Sequence, residues 1–156
     1  MRVDVLTEAR IDRSKDVVAR YAADPDNAPR WYANIESIEW ETVPPAAVGS
    51  RMGFVARFLG RRLAYTYEVV DLVPGERLVM RTAEGPFPME TTYTWQDAGA
   101  GRTTMTLRNR GEPHGFSSIA APLMAAAMRR ENRKDLARLK AILESGDAGS
   151  DQQNDS

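Results

Sequence analysis

The sequence contains no cysteine, and it has a single histidine among 156 residues. Without cysteine the chain forms no disulfide, no thiolate metal site and no cysteine nucleophile. It also lacks a phosphate-binding loop, a nucleophile elbow and a cluster of metal ligands. We therefore expect no metal and no cofactor.

Excess positive charge and long apolar runs are missing as well. Lys and Arg number 21 against 22 Asp and Glu, a net charge of −1, which argues against nucleic-acid binding because that needs uncompensated cations. No apolar run approaches the ~20 residues of a membrane span, so stable membrane insertion is not expected. The first residues are charged from residue 2 and lack the apolar core of a signal peptide. We expect a cytoplasmic protein.

Short alternating segments dominate the first two thirds of the chain. Residues 2–11 alternate with the period of a strand. Two short helices follow at about 14–23 and 27–33, separated by Asp24-Pro25-Asp26. Six further strands are predicted at 35–42, 51–59, 62–71, 77–83, 89–96 and 103–109. Because short turns join these six strands, they pair antiparallel in a meander.

A long helix is predicted from about residue 117 to 144, where Ala, Met, Leu and Arg are frequent. Pro122 either bends this helix or leaves Ile119–Ala121 as a separate turn. Its apolar face is predicted to carry Leu123, Ala127 or Met128, Leu136, Leu139 and Leu143. Residues 1–144 form one domain, and the polar residues 145–156 are predicted to be a disordered tail.

Element lengths indicate how sheet and helix pack. A helix of this length spans about 42 Å, whereas strands of eight residues span about 26 Å and seven strands side by side cover about 33 Å. The helix therefore outreaches a flat sheet in both directions. A seven-stranded antiparallel sheet that curls around the helix resolves the mismatch and leaves room for an internal cavity. The fold class is α+β.

Three segments resemble a known family. They are Tyr67–Leu78, with its strand, Pro-Gly turn and strand; Thr91–Trp95 followed by a Gly-rich turn and Arg102-Thr103; and Asp135–Lys140 of the last helix. Together with the element order over residues 1–144, they resemble the START/Bet v 1-like (SRPBCC) superfamily, in particular its polyketide cyclase/dehydrase-like branch. The resemblance implies a helix-grip fold with a hydrophobic cavity between sheet and long helix.

The resemblance leaves three functions open, because members share the fold while their chemistry differs. The first is a binding protein for a small hydrophobic molecule of lipid, polyketide or aromatic type. The second is a cyclase/dehydratase-type enzyme that uses polar groups in the cavity. The third is a protein-interaction module, and a homodimer is also left open. Iron-dependent oxygenase relatives are excluded, since their site needs two histidines and a carboxylate.

Candidate apolar ligand contacts lie on the predicted sheet and long helix. They are Phe54, Tyr65, Tyr67, Phe87, Tyr93, Trp95, Met124 and Met128. Aromatic bodies with polar tips suit a ligand cavity, and flexible methionines suit an adaptable one. The same side chains would also serve as ordinary core. Phe87 lies in a Gly/Pro loop, where it is either a lid or the end of a stiffened hairpin.

Polar candidates for binding or catalysis are few. Arg81 and Glu90 flank the loop 85–88; facing inward they would be buried charges that a ligand pairs with, and facing outward they are ordinary surface charges. Asn109 ends the last strand and is placed near the cavity. His114, at the expected cavity mouth, is either an acid or base near neutral pH or an exposed loop residue.

The long helix also carries a basic run at residues 129–134. Its arginines and Lys134 would form one side of the helix, where an anionic partner or membrane surface could bind. The interleaved Glu131 and Asp135 instead favour a solvated face with local ion pairs.

Overall fold

A computed structural model of the protein describes residues 2–116 and 119–146. Seven strands form one antiparallel sheet with the spatial order β1-β7-β6-β5-β4-β3-β2. The strands are β1 (Val3–Ile11), β2 (Ile35–Trp40), β3 (Arg51–Phe58), β4 (Arg61–Val73), β5 (Arg77–Glu84), β6 (Met89–Gly99) and β7 (Arg102–Gly111). The predicted meander is confirmed, and β1 pairs with β7 at one edge of the sheet.

Within the described residues three helices accompany the sheet: α1 (Lys15–Ala22), α2 (Ala28–Trp31) and α3 (Ala121–Glu144). A 3-10 turn, Pro25–Asn27, links α1 to α2, and the Asp24 side chain accepts a hydrogen bond of 3.0 Å from the amide of Asp26. This cap explains why the chain breaks where the sequence predicts a break. The second predicted helix is shorter than expected.

Register shifts give the sheet its curl. They occur in the pairing of β2 with β3, twice between β4 and β5, and once between β6 and β7. Such bulges add local twist, which lets long strands bend around a helix. The β3–β4 hairpin turns at Leu59 and Gly60, whose φ angles of 49° and 78° are both positive, as a tight hairpin following the sheet twist requires.

The long helix differs from its prediction at the first turn. α3 begins at Ala121, so Pro122 occupies the first turn, where its missing N–H costs nothing. Leu123 is exposed, which corrects its predicted place on the apolar face; Met124 is buried in its stead. Residues 117 and 118 of the predicted helix, and residues 147–156 of the predicted tail, lie outside the described residues.

The core lies on the concave face of the sheet. One cluster joins α1, α2 and the end of α3, including Leu136, Leu139 and Leu143, to the inward side chains of the strands. A smaller cluster joins Met124 and Met128 to β1. No helix in the described part of the chain is both long and apolar enough to span a membrane.

Candidate functional site

A cavity of about 150 Å³ lies between the sheet and the helices. Strands β2–β7, the α1–α2 region and the middle of α3 all contribute to its wall, which is mainly apolar. Apolar cavities of this size hold molecules such as benzene. The wall therefore has the composition of a site for a small hydrophobic molecule.

Aromatic rings of β3 and β4 form one side of the cavity. Phe54 stacks on Tyr65 at 5.7 Å between ring centroids, and Tyr67 meets both rings edge-on, at 5.9 Å and 5.0 Å respectively. All three point inward because strand alternation places residues two apart on one face, and the register sets Phe54 opposite Tyr65. Burial raises the pKa of Tyr67 to about 12, so its hydroxyl stays protonated at neutral pH.

A chain of hydroxyl and amide groups crosses the cavity wall from β4 to β7. The Thr91 hydroxyl donates to Oδ1 of Asn109 at 2.7 Å. Since that hydroxyl has only one proton, the 2.8 Å contact with the Tyr67 oxygen has Tyr67 as donor. These three polar groups are therefore largely satisfied by one another.

A second pair of hydroxyls lies nearer to α3. The phenolic oxygens of Tyr32 and Tyr93 are 2.5 Å apart, and burial raises the pKa of both phenols well above the ordinary value. In a pair of neutral phenols one proton lies between the two oxygens and the other remains available. Beside this cavity, the second proton can be donated to a ligand.

Asp135 of α3 is the buried acid of the site, with only 2% of its surface exposed. Its Oδ1 accepts a hydrogen bond of 3.1 Å from the amide of Ala33. Burial raises the pKa of Asp135 to about 7; the Ala33 amide opposes this shift and the charge of Glu131 adds to it. At neutral pH the carboxyl is therefore divided between its acid and its base form, as general acid–base catalysis prefers.

Two residues of the cavity lining have a buried side-chain amide atom with no hydrogen-bond partner among the described residues. They are Asn132, through its buried Nδ2, and Asn34, through its buried Oδ1. Both residues line the cavity together with Asp135. We call Asn34, Asn132 and Asp135 the polar corner.

The end of β3, the start of β4 and two connecting segments meet at another part of the wall. Phe58 and Phe87 line the cavity, and both contact Phe116, at 5.8 Å and 6.2 Å between ring centroids. The Arg61 guanidinium lies 5.1 Å from the Phe116 ring and donates to the carbonyl of Gly115. Phe87 thus packs where the end of β3 meets the β5–β6 and β7–α3 connections.

The structure brings most predicted contact residues together. Seven of them line the cavity: Phe54, Tyr65, Tyr67, Phe87, Tyr93, Asn109 and Met128. Two predicted residues face inward but lie in the packed core outside the cavity lining. Trp95 belongs to the main core cluster, and Met124 packs against Val3, Val5 and Phe116 near β1.

The charged candidates lie outside the cavity lining. Arg81 and Glu90 are directly opposite each other on β5 and β6, and Glu90 accepts hydrogen bonds from Arg81 at 2.6 Å and from Arg110. Their inward neighbours are Met80 and Thr91, so alternation turns the charges outward. His114 is exposed in the β7–α3 connection, and its neighbour Pro113 lines the cavity instead.

Sequence reasoning missed Asn34 and Asp135 of the polar corner, whereas Asn132 shares the predicted helix face of Met124 and Met128. The sequence predicts a solvated helix face for Asp135, and the structure corrects this because Asp135 is buried. The available signal was helical spacing: Met128, Asn132 and Asp135 recur at intervals of four and three, in line with the buried Leu139. Within the described residues no group of three or more metal-ligating side chains gathers.

The whole-chain comparisons agree with this geometry. Residues 2–144 match the family described as polyketide cyclase / dehydrase and lipid transport. The chain belongs to this family. No curated protein is similar enough to match.

Solved structures of START/Bet v 1-like proteins share the fold. A START superfamily protein from Mycobacterium smegmatis is 12% identical with a TM-score of 0.78, over 91% of this chain and 97% of its own. The Zhui aromatase/cyclase of a Streptomyces species is 16% identical with a TM-score of 0.76, over 94% and 96%. A ginseng major latex-like protein is 16% identical with a TM-score of 0.72, over 90% and 96%. The chain has the helix-grip fold of this superfamily.

Proposed function

We propose that this family member binds a small hydrophobic ligand, with at least one aromatic ring, in the cavity between sheet and α3. The observation that carries the proposal is the aromatic wall of Phe54, Tyr65 and Tyr67 around a cavity of about 150 Å³. Flat apolar ligands stack on such rings. A module that acted only through its outer surface would need no such cavity.

Native mass spectrometry of the protein purified from its own host tests this proposal. We expect a retained small molecule, or thermal stabilisation by members of an aromatic and lipid panel. Ala56→Leu should abolish retention, because Ala56 is 4% exposed and lines the cavity. Ala64→Leu is the matched control, since Ala64 is exposed on the neighbouring strand. Equal retention by both variants would place the ligand elsewhere.

One observation favours a second candidate, an acid–base enzyme of the cyclase/dehydratase type. Asp135, the Tyr32–Tyr93 pair and two amide atoms that are unpaired within the described residues all line one cavity, and burial raises the pKa of Asp135 to about 7. For a β-hydroxyketone, neutral Asp135 would protonate the leaving hydroxyl. The resulting carboxylate would take the proton from the α-carbon as the double bond forms, and water would leave.

Incubation with an aromatic β-hydroxyketone tests the enzyme candidate. An enzyme should produce the conjugated enone and water, and Asp135→Asn should abolish this conversion without abolishing binding. Glu90→Gln, at a carboxyl on the outer face, is the control. Binding of the ketone without conversion by the wild type would leave the binding function alone standing.

A further inference from the structure

The polar corner carries information about the ligand that the apolar wall does not. Asn132 is 6% exposed and lines the cavity, yet its Nδ2 has no hydrogen-bond acceptor within the described residues. Oδ1 of Asn34 is likewise buried without a donor in that part of the chain. Buried polar groups in folded proteins are almost always paired. An unpaired donor and an unpaired acceptor beside one cavity indicate a ligand group that pairs with both.

Local geometry holds these groups close to each other. Asn132 and Asp135 are three residues apart on α3, so their side chains lie on the same helix face. Asn34 follows Ala33, whose amide donates to Oδ1 of Asp135 at 3.1 Å. That hydrogen bond ties the segment between α2 and β2 to the helix. The three side chains therefore line one part of the cavity.

The polar corner distinguishes ligand groups by what they donate and accept. A ketone or ether accepts from Asn132 but leaves Asn34 unpaired, and an ammonium donates to Asn34 and Asp135 but leaves Asn132 unpaired. A carboxylate would place a second negative charge beside Asp135. A hydroxyl donates one hydrogen bond and accepts another, which matches both unpaired groups.

We infer that the ligand presents a hydroxyl group to the polar corner, accepting from Nδ2 of Asn132 and donating to Oδ1 of Asn34. This inference rests on the proposed function, because it names the chemistry of the molecule in the same cavity. The ligand class is then a hydroxylated aromatic molecule, such as a phenol or an aromatic alcohol, with its apolar body against Tyr65 and Tyr67. Oδ1 of Asn109 already accepts a hydrogen bond from Thr91, so it does not require one from the ligand.

A matched series of naphthalene probes tests the inference by calorimetry or fluorescence. The series consists of naphthalene, methoxynaphthalene, naphthol, naphthoate and naphthylmethylamine, with one substituent position throughout. We expect naphthol to bind about tenfold more tightly than methoxynaphthalene, the effect of about one net hydrogen bond. Naphthoate and the amine should bind more weakly than naphthol at neutral pH.

Variants locate the preference. Asn132→Leu should reduce the naphthol preference to about one, while naphthalene binds at least as well as before. Asn109→Leu, which removes a cavity amide already paired, should alter the naphthol and methoxynaphthalene affinities alike. If Asn132→Leu fails to fold, Asn34→Ala serves in its place and should lower the preference for naphthol.

The outcomes separate the two proposals. Equal binding of naphthol and methoxynaphthalene by the wild type overturns the hydroxyl inference and leaves the proposed hydrophobic site intact. Tightest binding of naphthoate or the amine also overturns it, in favour of an ionic ligand. Failure of every probe to bind overturns both proposals. A naphthol preference that survives Asn132→Leu and Asn34→Ala places the hydroxyl elsewhere and refutes the assignment.

Discussion

Replacing Asp135 by asparagine should remove the pH-dependent cost of burying an ionised carboxylate in the folded protein. Burial is the main cause that raises the pKa of this carboxyl from its ordinary value of 3.8 to about 7. A folded-state pKa above the unfolded value means that the fold favours the protonated form. The stabilisation is complete below about pH 4 and is lost as the pH rises to about 7.

The magnitude follows from the two pKa values. Each pH unit between them is worth about 1.36 kcal/mol, so charging Asp135 in the fold costs about 4 kcal/mol in all. From about pH 5 to about pH 8 the wild type should lose about 2 to 3 kcal/mol through this group. With a urea dependence of about 2 kcal/mol per molar, the unfolding midpoint should fall by roughly 1 M over that range.

Asparagine keeps the oxygen that accepts from the Ala33 amide but has no charge to bury. The midpoint of Asp135→Asn should therefore stay nearly level from about pH 5 to about pH 8. Carboxyls with lowered pKa, such as Asp4 and Glu36 with their arginine hydrogen bonds, act in a separate range. Their stabilisation is already complete above their ordinary values of 3.8 and 4.5.

Urea unfolding followed by tryptophan fluorescence at several pH values measures this difference. Glu131→Gln provides a graded test, because the charge of Glu131 contributes to the raised pKa of Asp135. Its removal should make the loss of stability smaller and move it to lower pH. Parallel midpoint curves for the wild type and Asp135→Asn would refute the assignment of Asp135 as a buried acid.

Two further pairs of variants test the packing around the cavity. Gly111→Ala should destabilise the protein by about 1–3 kcal/mol, because a Cβ there would overlap Met89 and the carbonyl of Pro88. A Cβ at Gly53 is 3.8 Å from its nearest atoms, so Gly53→Ala should change stability by less than about 0.5 kcal/mol. Equal losses in urea midpoint for the two variants would contradict this prediction. Thr91→Val should lower the free energy of unfolding by about 1–3 kcal/mol, because it leaves both Tyr67 and Asn109 without their hydrogen-bond partner. Tyr67→Phe should lower it by only about 1 kcal/mol, because the hydrogen bond from Thr91 to Asn109 stays intact. A larger loss for Tyr67→Phe in thermal melts would refute the assigned donor directions.

Alternation in the sequence predicts which side chains face the concave side of the sheet. Tyr65, Tyr67 and Val69 share a face in the pattern and in the structure. By the same alternation, inward-facing Met80 and Thr91 imply that the neighbouring Arg81 and Glu90 face outward. Periodicity cannot say how far along a strand or helix the cavity extends. Trp95 and Met124 therefore have the predicted face, but they lie where the core is filled.

Helical spacing places Asn132 and Asp135 on the buried face of α3, but no local pattern pairs that face with Ala33 and Asn34. The hydrogen bond that fixes Asp135 joins it to Ala33, 102 residues earlier in the chain. A sequence of charged residues on a helix ordinarily indicates a solvated face, and the flanking Arg133 and Lys134 are indeed exposed. The packing of the α2–β2 segment on α3 buries Asp135, which helical spacing places on the same face as Leu139.

A substitution of Asp135 also distinguishes the two candidate functions, a carrier and an enzyme. Both need the aromatic wall, and both can use a hydroxyl-binding corner. A carrier needs Asp135 only as an acceptor, which asparagine replaces through its Oδ1. An enzyme needs a proton that leaves and returns, which asparagine cannot supply. Retained naphthol binding with lost conversion in Asp135→Asn would therefore identify catalysis, whereas a wild type that binds without converting any hydroxylated substrate would identify a carrier.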